Sequence, residues 1–444
     1  MKVARWKVLG VAGALVLGYA VTSQAAQIKV DEDTFADFGY NMKIMYQNFD
    51  ERGKGGTDDW KKNVFDIKDS RFYISGQVSK MVQFYGEWNA SGAYGKETGG
   101  YAKDNKVGLA EGGVNFVFMP ELQVRAGKVR VPFTRYQMTS SYSLIIPTDA
   151  WYDKGGAGAT GIFGKDTGVV GEGKYISTNP LELIGKADGG LVVHGDIANG
   201  MFRYNVGVFN EDKRKDEAFK GLQWVARVEF TPTMLGFAPE STTSPHGKVS
   251  DTYLGKKDVL TIGLGYYKEK LYDKDSLYGT QFDKSLEADG WTADLFFEKK
   301  FGCWVPNLQV GYIKLNDSHF YTADGKKFSN ATTAANVKKG DTSLWYAQGQ
   351  LLYDAVVGFG KPALAIRYEN VEADGVASGK KDFAFDRWGV ALNYYLKGQA
   401  AKVSLGFDKV EYDDAAKAFL KSSESKSEYE DSITDYYLYI QTKF

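Results

Sequence analysis

Basic residues recur at one parity within segments that read as strands: Lys43, Arg71, Arg125, Arg203, Arg227, Arg367 and Arg387. Guanidinium groups lining a wet passage attract anions, and each can grip an oxyanion through two parallel hydrogen bonds. Carboxylates share that parity, among them Glu87, Glu111, Asp196, Glu229, Asp294, Glu298 and Glu369. The same residues therefore also read as a neutralised network, because opposite charges on one face of a sheet pair across strands. For any single arginine, pairing is the first expectation.

Catalysis and metal binding have less to work with. The single Cys303 rules out an intrachain disulfide and any cysteine-based zinc or iron–sulfur site. His194 and Asp196 share a parity, and His319 sits beside Asp317 and Ser318. Neither group assembles a base, an orienting partner and a nucleophile. Gly171-Glu172-Gly173 and Gly263-Leu264-Gly265 lack the spacing of a nucleotide fingerprint, and glycines in strands serve close approach instead. We expect no catalytic residue, no metal, no cofactor and no enzyme activity.

The segment from Arg130 to Lys165 is too long for an ordinary hairpin loop, and long ordered loops are commonly functional. It carries Arg130 and Arg135, the hydroxyl run Thr139-Ser140-Ser141-Tyr142-Ser143, and the apolar Leu144-Ile145-Ile146-Pro147. We expect it to fold into a lumen, with Arg125, Arg130, Arg135, Ser140, Ser141 and Tyr142 around the narrowest point. Basic groups there would lower the barrier for anions, and hydroxyls would replace lost hydration. An exposed loop packed on a neighbouring subunit is the other reading.

What would position these residues is a wall of two-faced strands. From Phe38 the even positions read Phe38, Tyr40, Met42, Ile44 and Tyr46, against Gly39, Asn41, Lys43, Met45 and Gln47. Trp388, Val390, Leu392 and Tyr394 likewise flank Arg387 and Asn393. Segments of about ten residues alternate in this way along the chain, the pattern of a membrane-spanning barrel strand. Sixteen begin near residues 36, 64, 82, 107, 122, 191, 201, 221, 258, 290, 307, 343, 362, 386, 400 and 433. Connections alternate between short ones, such as Met119-Pro120-Glu121 and Lys397-Gly398-Gln399, and long polar ones, such as 316–342.

Aromatic residues make up 15% of the chain, too many for a disordered polymer, and charged residues 25%, too many for a bundle of membrane helices. Lys2, Arg5 and Lys7 precede an apolar run from Val8 to Ala20, followed by Thr22-Ser23-Gln24-Ala25-Ala26. That is the pattern of a secretory signal peptide spanning residues 1–25, whose apolar run falls short of the ~20 residues a membrane helix needs. Its removal takes the formal net charge from −1 to −4, which gives no reason to expect nucleic acid as a partner. The expected fold is all-β: residues 26–444 as a transmembrane antiparallel barrel of about sixteen strands, with 130–190 as the constriction-loop region. At that size side chains no longer fill the interior, and a water-filled channel for small hydrophilic solutes follows.

Several stretches carry a family resemblance. They are Asp69-Ser70-Arg71-Phe72-Tyr73-Ile74-Ser75-Gly76 and the run Pro120 to Phe133, which ends in Gly127-Lys128-Val129-Arg130-Val131-Pro132-Phe133. Shorter ones are Val206-Gly207-Val208-Phe209-Asn210, Trp345-Tyr346-Ala347-Gln348-Gly349 and Asn393-Tyr394-Tyr395-Leu396. In this order they resemble the phosphate-selective porin O/P family of Gram-negative outer membranes. The resemblance implies a sixteen-stranded, trimeric porin in outer-membrane lipid, favouring anions such as phosphate. The terminal strand, ending in Phe444, looks like the signal read by outer-membrane assembly machinery. Residues 171–190 stand out as an insertion, and 231–256 is long for a turn at its end of the barrel. A barrel sheathing a periplasmic redox partner is the alternative, although no Cys-x-x-Cys-His motif occurs.

Overall fold

The computed structural model describes residues 26–51, 60–90, 107–148, 186–210, 221–240, 245–272, 286–322, 337–377, 381–417 and 432–444. The expected signal peptide, residues 1–25, lies outside them, as does most of the expected insertion. The strands are β1 (Ala26–Lys29), β2 (Phe35–Glu51), β3 (Trp60–Ser79), β4 (Val82–Asn89), β5 (Gly108–Met119) and β6 (Leu122–Arg130). They continue as β7 (Ala187–Ile197), β8 (Phe202–Asn210), β9 (Leu222–Phe230), β10 (Val259–Tyr272), β11 (Leu286–Glu298) and β12 (Trp304–Thr322). The last are β13 (Val337–Tyr353), β14 (Lys361–Ala377), β15 (Lys381–Tyr395), β16 (Ala401–Tyr412) and β17 (Ser432–Lys443).

From β2 to β17 each strand pairs antiparallel with the next, and β17 returns to β2 in a register running from Asp435↔Phe49 to Lys443↔Asn41. The ring of sixteen is closed, so no edge leaves its backbone N–H and C=O groups unpaired. The short β1 pairs with the start of β2, from Ala26↔Phe38 to Lys29↔Phe35, beside the end of β17. Both chain termini of the barrel lie at one end, called here the terminal end. Apart from the connection 231–258, its hairpins are short: Ala198, Asn199 and Gly200 all take positive φ between β7 and β8, the left-handed backbone that suits a two-strand turn. The loop end carries the long connections.

Alternation in sequence becomes two faces in space. Along β10, Thr261, Gly263, Gly265, Tyr267 and Glu269 point inward and are buried, whereas Ile262, Leu264 and Tyr266 are exposed on the outside. The outer face forms level rows because register aligns like with like. Leu351, Leu364, Leu392, Leu405 and Leu438 stand opposite one another in turn across β13 to β17. Nearer the loop end, Trp345, Tyr368 and Trp388 form an aromatic row, with ring centroids 4.6 and 4.4 Å apart. Phe202, Phe230, Trp304 and Tyr394 lie near the terminal end. An apolar band between two aromatic girdles is what a bilayer covers.

Candidate functional site

Among the described residues, two stretches of the chain's own backbone occupy the barrel interior. The first leaves β6 at the loop end. Val131-Pro132 ends the strand, since proline has no N–H to donate to a ladder. Thr134 then caps a single helical turn, α1 (Arg135–Met138), in a capping box with Gln137. From there the chain crosses the lumen, held by inward side chains of distant strands. Lys43 of β2 donates to Ser141 O at 2.5 Å, and Gln441 of β17 to Tyr142 O at 2.9 Å. Lys402 of β16 donates to Leu144 O at 2.6 Å, and Asn393 of β15 to Ile145 O at 2.6 Å. Arg367 of β14 binds Thr148, and Arg227 of β9 donates to Phe133 O at 3.1 Å. At Gly265 a Cβ would fall 2.4 Å from Phe133 O, so this glycine gives the loop room against the wall.

The second stretch, residues 231–258 between β9 and β10, enters from the terminal end. We call it the arm. Its neck is closed by Ala238 N donating to Asp258 O at 2.8 Å and Lys257 donating to Pro239 O at 3.0 Å. Inside the barrel it meets the loop. Ser140 N donates to Val249 O and Val249 N to Met138 O, both at 3.0 Å. Arg135 grips Glu240 with two bonds of 2.5 and 2.6 Å and donates to Ser250 O at 2.8 Å. Asp251 accepts from Ile145 N at 2.8 Å and from Gln309 of β12 at 2.7 Å. Glu298 of β11 accepts from Thr252 Oγ1 and from the N–H groups of Tyr253 and Gly255.

Among the described residues, the buried ion pairs around the loop and the arm form three networks. Arg367 and Arg387 interlock with Glu369 and Asp408, two against two. Arg203 and Arg227 share Glu229, Arg227 also takes Asp294 at 2.7 Å, and Arg135 holds Glu240, three against three. The third runs Lys43–Asp69–Arg71–Glu87–Lys248–Glu111–Arg130, four cations against three carboxylates among the described residues. It is also the network with open sides: the Arg71 and Lys248 side chains are 16% and 15% exposed, against 2% or less for Arg367, Arg387 and Arg227. Tyr142 lies against it, its ring 4.8 Å from Lys43 Nζ and 5.6 Å from Arg71 Cζ.

Each residue singled out from the sequence therefore has a place. Lys43, Arg71, Arg203, Arg227, Arg367 and Arg387 are inward and paired with carboxylates. Arg130 and Arg135 are buried and ion-paired, and Arg130 also donates to Gln137 O at 2.6 Å. Arg125 differs: it donates to Pro245 O at 2.7 Å, and its Nη2 has no hydrogen-bond partner among the described residues. Ser140 and Ser141 contribute backbone carbonyls. Phe444 closes the ring, exchanging backbone bonds with Tyr40 and accepting from the Tyr73 hydroxyl at 2.9 Å.

His194 is buried with Nε2 3.0 Å from Asn115 Oδ1, and the side chain of His319 lies outside the described residues. No group of three or more His, Cys, Asp or Glu side chains among the described residues is placed to hold a metal ion. Glu240, His246, Lys248 and Asp251 escape a reading of the sequence, because they sit on a connection without periodicity. Its length was the one signal. Burial, opposed by the Arg135 guanidinium, leaves the Glu240 carboxyl lowered to about 2. Burial and the charge of Lys248 bring the His246 imidazole down to about 3, and burial raises the Asp251 carboxyl. Beyond the arm, the terminal end holds a cavity of about 670 Å³ whose lining includes Lys256, Lys300, Lys361, Lys397 and Lys443 with Asp354.

Known proteins place this architecture. Among solved structures, the chain is similar to Salmonella typhi OmpF in complex with daunomycin, with a TM-score of 0.54 and 11% identity over 94% of this chain and 100% of that one. It is also similar to the anion-selective porin from Comamonas acidovorans, with a TM-score of 0.51 and 13% identity over 93% and 100% of the two chains. At such identities the likeness is one of fold. An uncharacterized protein of Aquifex aeolicus is 24% identical over 321 residues, covering 68% of this chain and 62% of that protein. The family model for phosphate-selective porin O and P matches residues 37–259, which run from the first barrel strand through the loop and the arm. The chain belongs to the phosphate-selective porin O and P family.

Proposed function

We propose that this protein is an outer-membrane porin through which small hydrophilic solutes diffuse, with anions such as phosphate or other oxyanions favoured over cations. The terminal end then faces the periplasm and the long connections face outward. The observation that carries the preference is the charge of the one ionic network that is open to the lumen. Two of its three ionic networks balance, and the one with open sides holds an excess cation. Arg125 adds a buried positive charge beside it, and the lysine-lined cavity extends the basic surface to the periplasmic mouth. Fixed positive charge with partial desolvation favours anions over cations in a narrow passage.

On this reading Arg125 and Arg130 of β6, with the loop residues Arg135, Ser140, Ser141 and Tyr142, frame the constriction. Assembly through the strand ending in Phe444 and association into a homotrimer belong to the same proposal. A barrel sheathing a redox partner is disfavoured, because the loop and the arm already stand where a partner segment would enter. The test is the reversal potential of the purified protein in a planar bilayer across a salt gradient. An anion-favouring sign is expected, and a cation-favouring sign would overturn the reading. Millimolar phosphate should also lower chloride conductance; no effect would remove phosphate as a preferred solute.

A further inference from the structure

Glu87 on β4 and Glu111 on β5 are direct register partners, both inward and buried. Like charges set opposite each other destabilise a strand pair, and more so away from water. Cations from elsewhere must compensate. Arg71 reaches Glu87 Oε1 at 2.6 Å and Arg130 reaches Glu111 Oε1 at 2.6 Å, which engages one oxygen of each carboxylate. The second oxygens both face Lys248, whose Nζ donates to Glu87 Oε2 at 2.6 Å and stands 3.2 Å from Glu111 Oε2. Lys248 is not part of the wall. The arm carries it in from the terminal end, and two neighbours fix it there. His246 packs on Tyr85 with ring centroids 4.6 Å apart, and Val249 bridges to Thr139 of the loop.

We propose that Lys248 is the residue that sets the sign of the channel's charge selectivity. The inference rests on the anion-favouring porin above and names the group responsible. With Lys248 in place, four cations face three carboxylates; without it the numbers are equal, and two carboxylate oxygens stand uncovered side by side. Paired carboxylate oxygens are ligands for a hard cation such as calcium. Without the arm the β4–β5 wall would offer those two oxygens to a passing cation, and Lys248 takes that place. Arg130 is too deeply buried to do this for a passing ion, at 1% exposure against 15% for Lys248.

The experiment compares reversal potentials of the wild type, Lys248→Gln, Lys248→Arg and Glu111→Gln in a potassium chloride gradient, with folding checked by heat-shifted gel mobility. Lys248→Gln should lower the anion-to-cation permeability ratio by roughly fivefold or more, the effect of one unit charge at contact distance. It should also make the conductance sensitive to millimolar calcium. Lys248→Arg should keep the wild-type ratio, and Glu111→Gln should raise it. A cation-selective wild type would sink the anion-favouring reading itself. An anion-selective wild type with an unchanged ratio in Lys248→Gln would overturn the role of Lys248 alone. Should Lys248→Gln fail to fold, Glu111→Gln decides, since it leaves the arm in place; no change there overturns the inference as well.

Discussion

Arg135 and Glu240 meet inside the barrel after entering from opposite ends, one on the loop and one on the arm. Each is about 1% exposed, so neither charge has water to fall back on. The pair is bidentate, the Arg135 guanidinium lies 3.7 Å over the Phe296 ring, and Glu240 also accepts from the Tyr253 hydroxyl at 2.6 Å. Removing one partner of such a pair leaves an uncompensated buried charge and costs about 3–5 kcal/mol, whereas replacing both by apolar residues can be close to neutral. Arg135→Ala should therefore destabilise the folded barrel by about that amount in a urea titration in detergent. Arg135→Met combined with Glu240→Leu should recover most of it. Equal losses in the single and the double variant would show that the penalty comes from lost packing rather than from the stranded carboxylate.

The arm, as an element, is held by groups whose charge depends on pH. His246 has its seated pKa lowered to about 3, against 6.5 when released into water. A base lowered on seating contributes fully above pH 6.5 and progressively less as pH falls from 6.5 toward 3. At pH 5 the loss is about 2 kcal/mol. Glu240, lowered to about 2, acts in the same direction but later, since its contribution is present above 4.5 and lost as pH falls toward 2. Asp251 opposes both: its raised pKa favours seating at low pH, and that contribution is lost as pH rises through the folded value. Between pH 7 and 5 the arm should thus loosen, and single-channel recordings should show more time in a higher-conductance state at pH 5. His246→Gln should flatten this dependence and Asp251→Asn should steepen it. An unchanged profile in His246→Gln would refute the assignment.

The strands themselves were legible in the sequence, and the deviations have a common cause. At the terminal end, expected starts at 82 and 122 coincide with β4 and β6. At the loop end, β3, β7, β11, β13 and β15 all begin earlier than the alternation predicts. Val337-Lys338-Lys339-Gly340-Asp341 shows why: where a strand extends past the apolar medium both its faces are polar, and the period disappears. Pairing of the inward arginines was likewise foreseeable, because charges on one face of a sheet neutralise across strands. The arm was not. Glu240 and Lys248 acquire their roles only through contacts with β4, β5, β8 and the loop, which no local pattern encodes.

For the whole molecule, closing sixteen strands creates an interior that wall side chains do not fill. Loop and arm occupy that space, which lets inward residues be polar while the apolar side chains face out. Leu392 is the sharpest place to test the second half of this division. It is 55% exposed and sits in the leucine row between Leu364 and Leu405, while its neighbour Asn393 points inward and holds Ile145 O. On a barrel bathed in water, replacing so exposed a leucine by arginine would be neutral or would improve solubility. In a bilayer it costs about 2–4 kcal/mol near the midplane, because the guanidinium must be held away from water. Leu392→Arg should therefore lower the free energy of folding into lipid vesicles by that amount, read from a denaturant titration, and substitutions nearer the aromatic girdles should cost less. A variant as stable as the wild type would mean that the leucine row does not face lipid. The lumen chemistry would then have to be explained for a barrel standing in water, with no membrane for its solutes to cross.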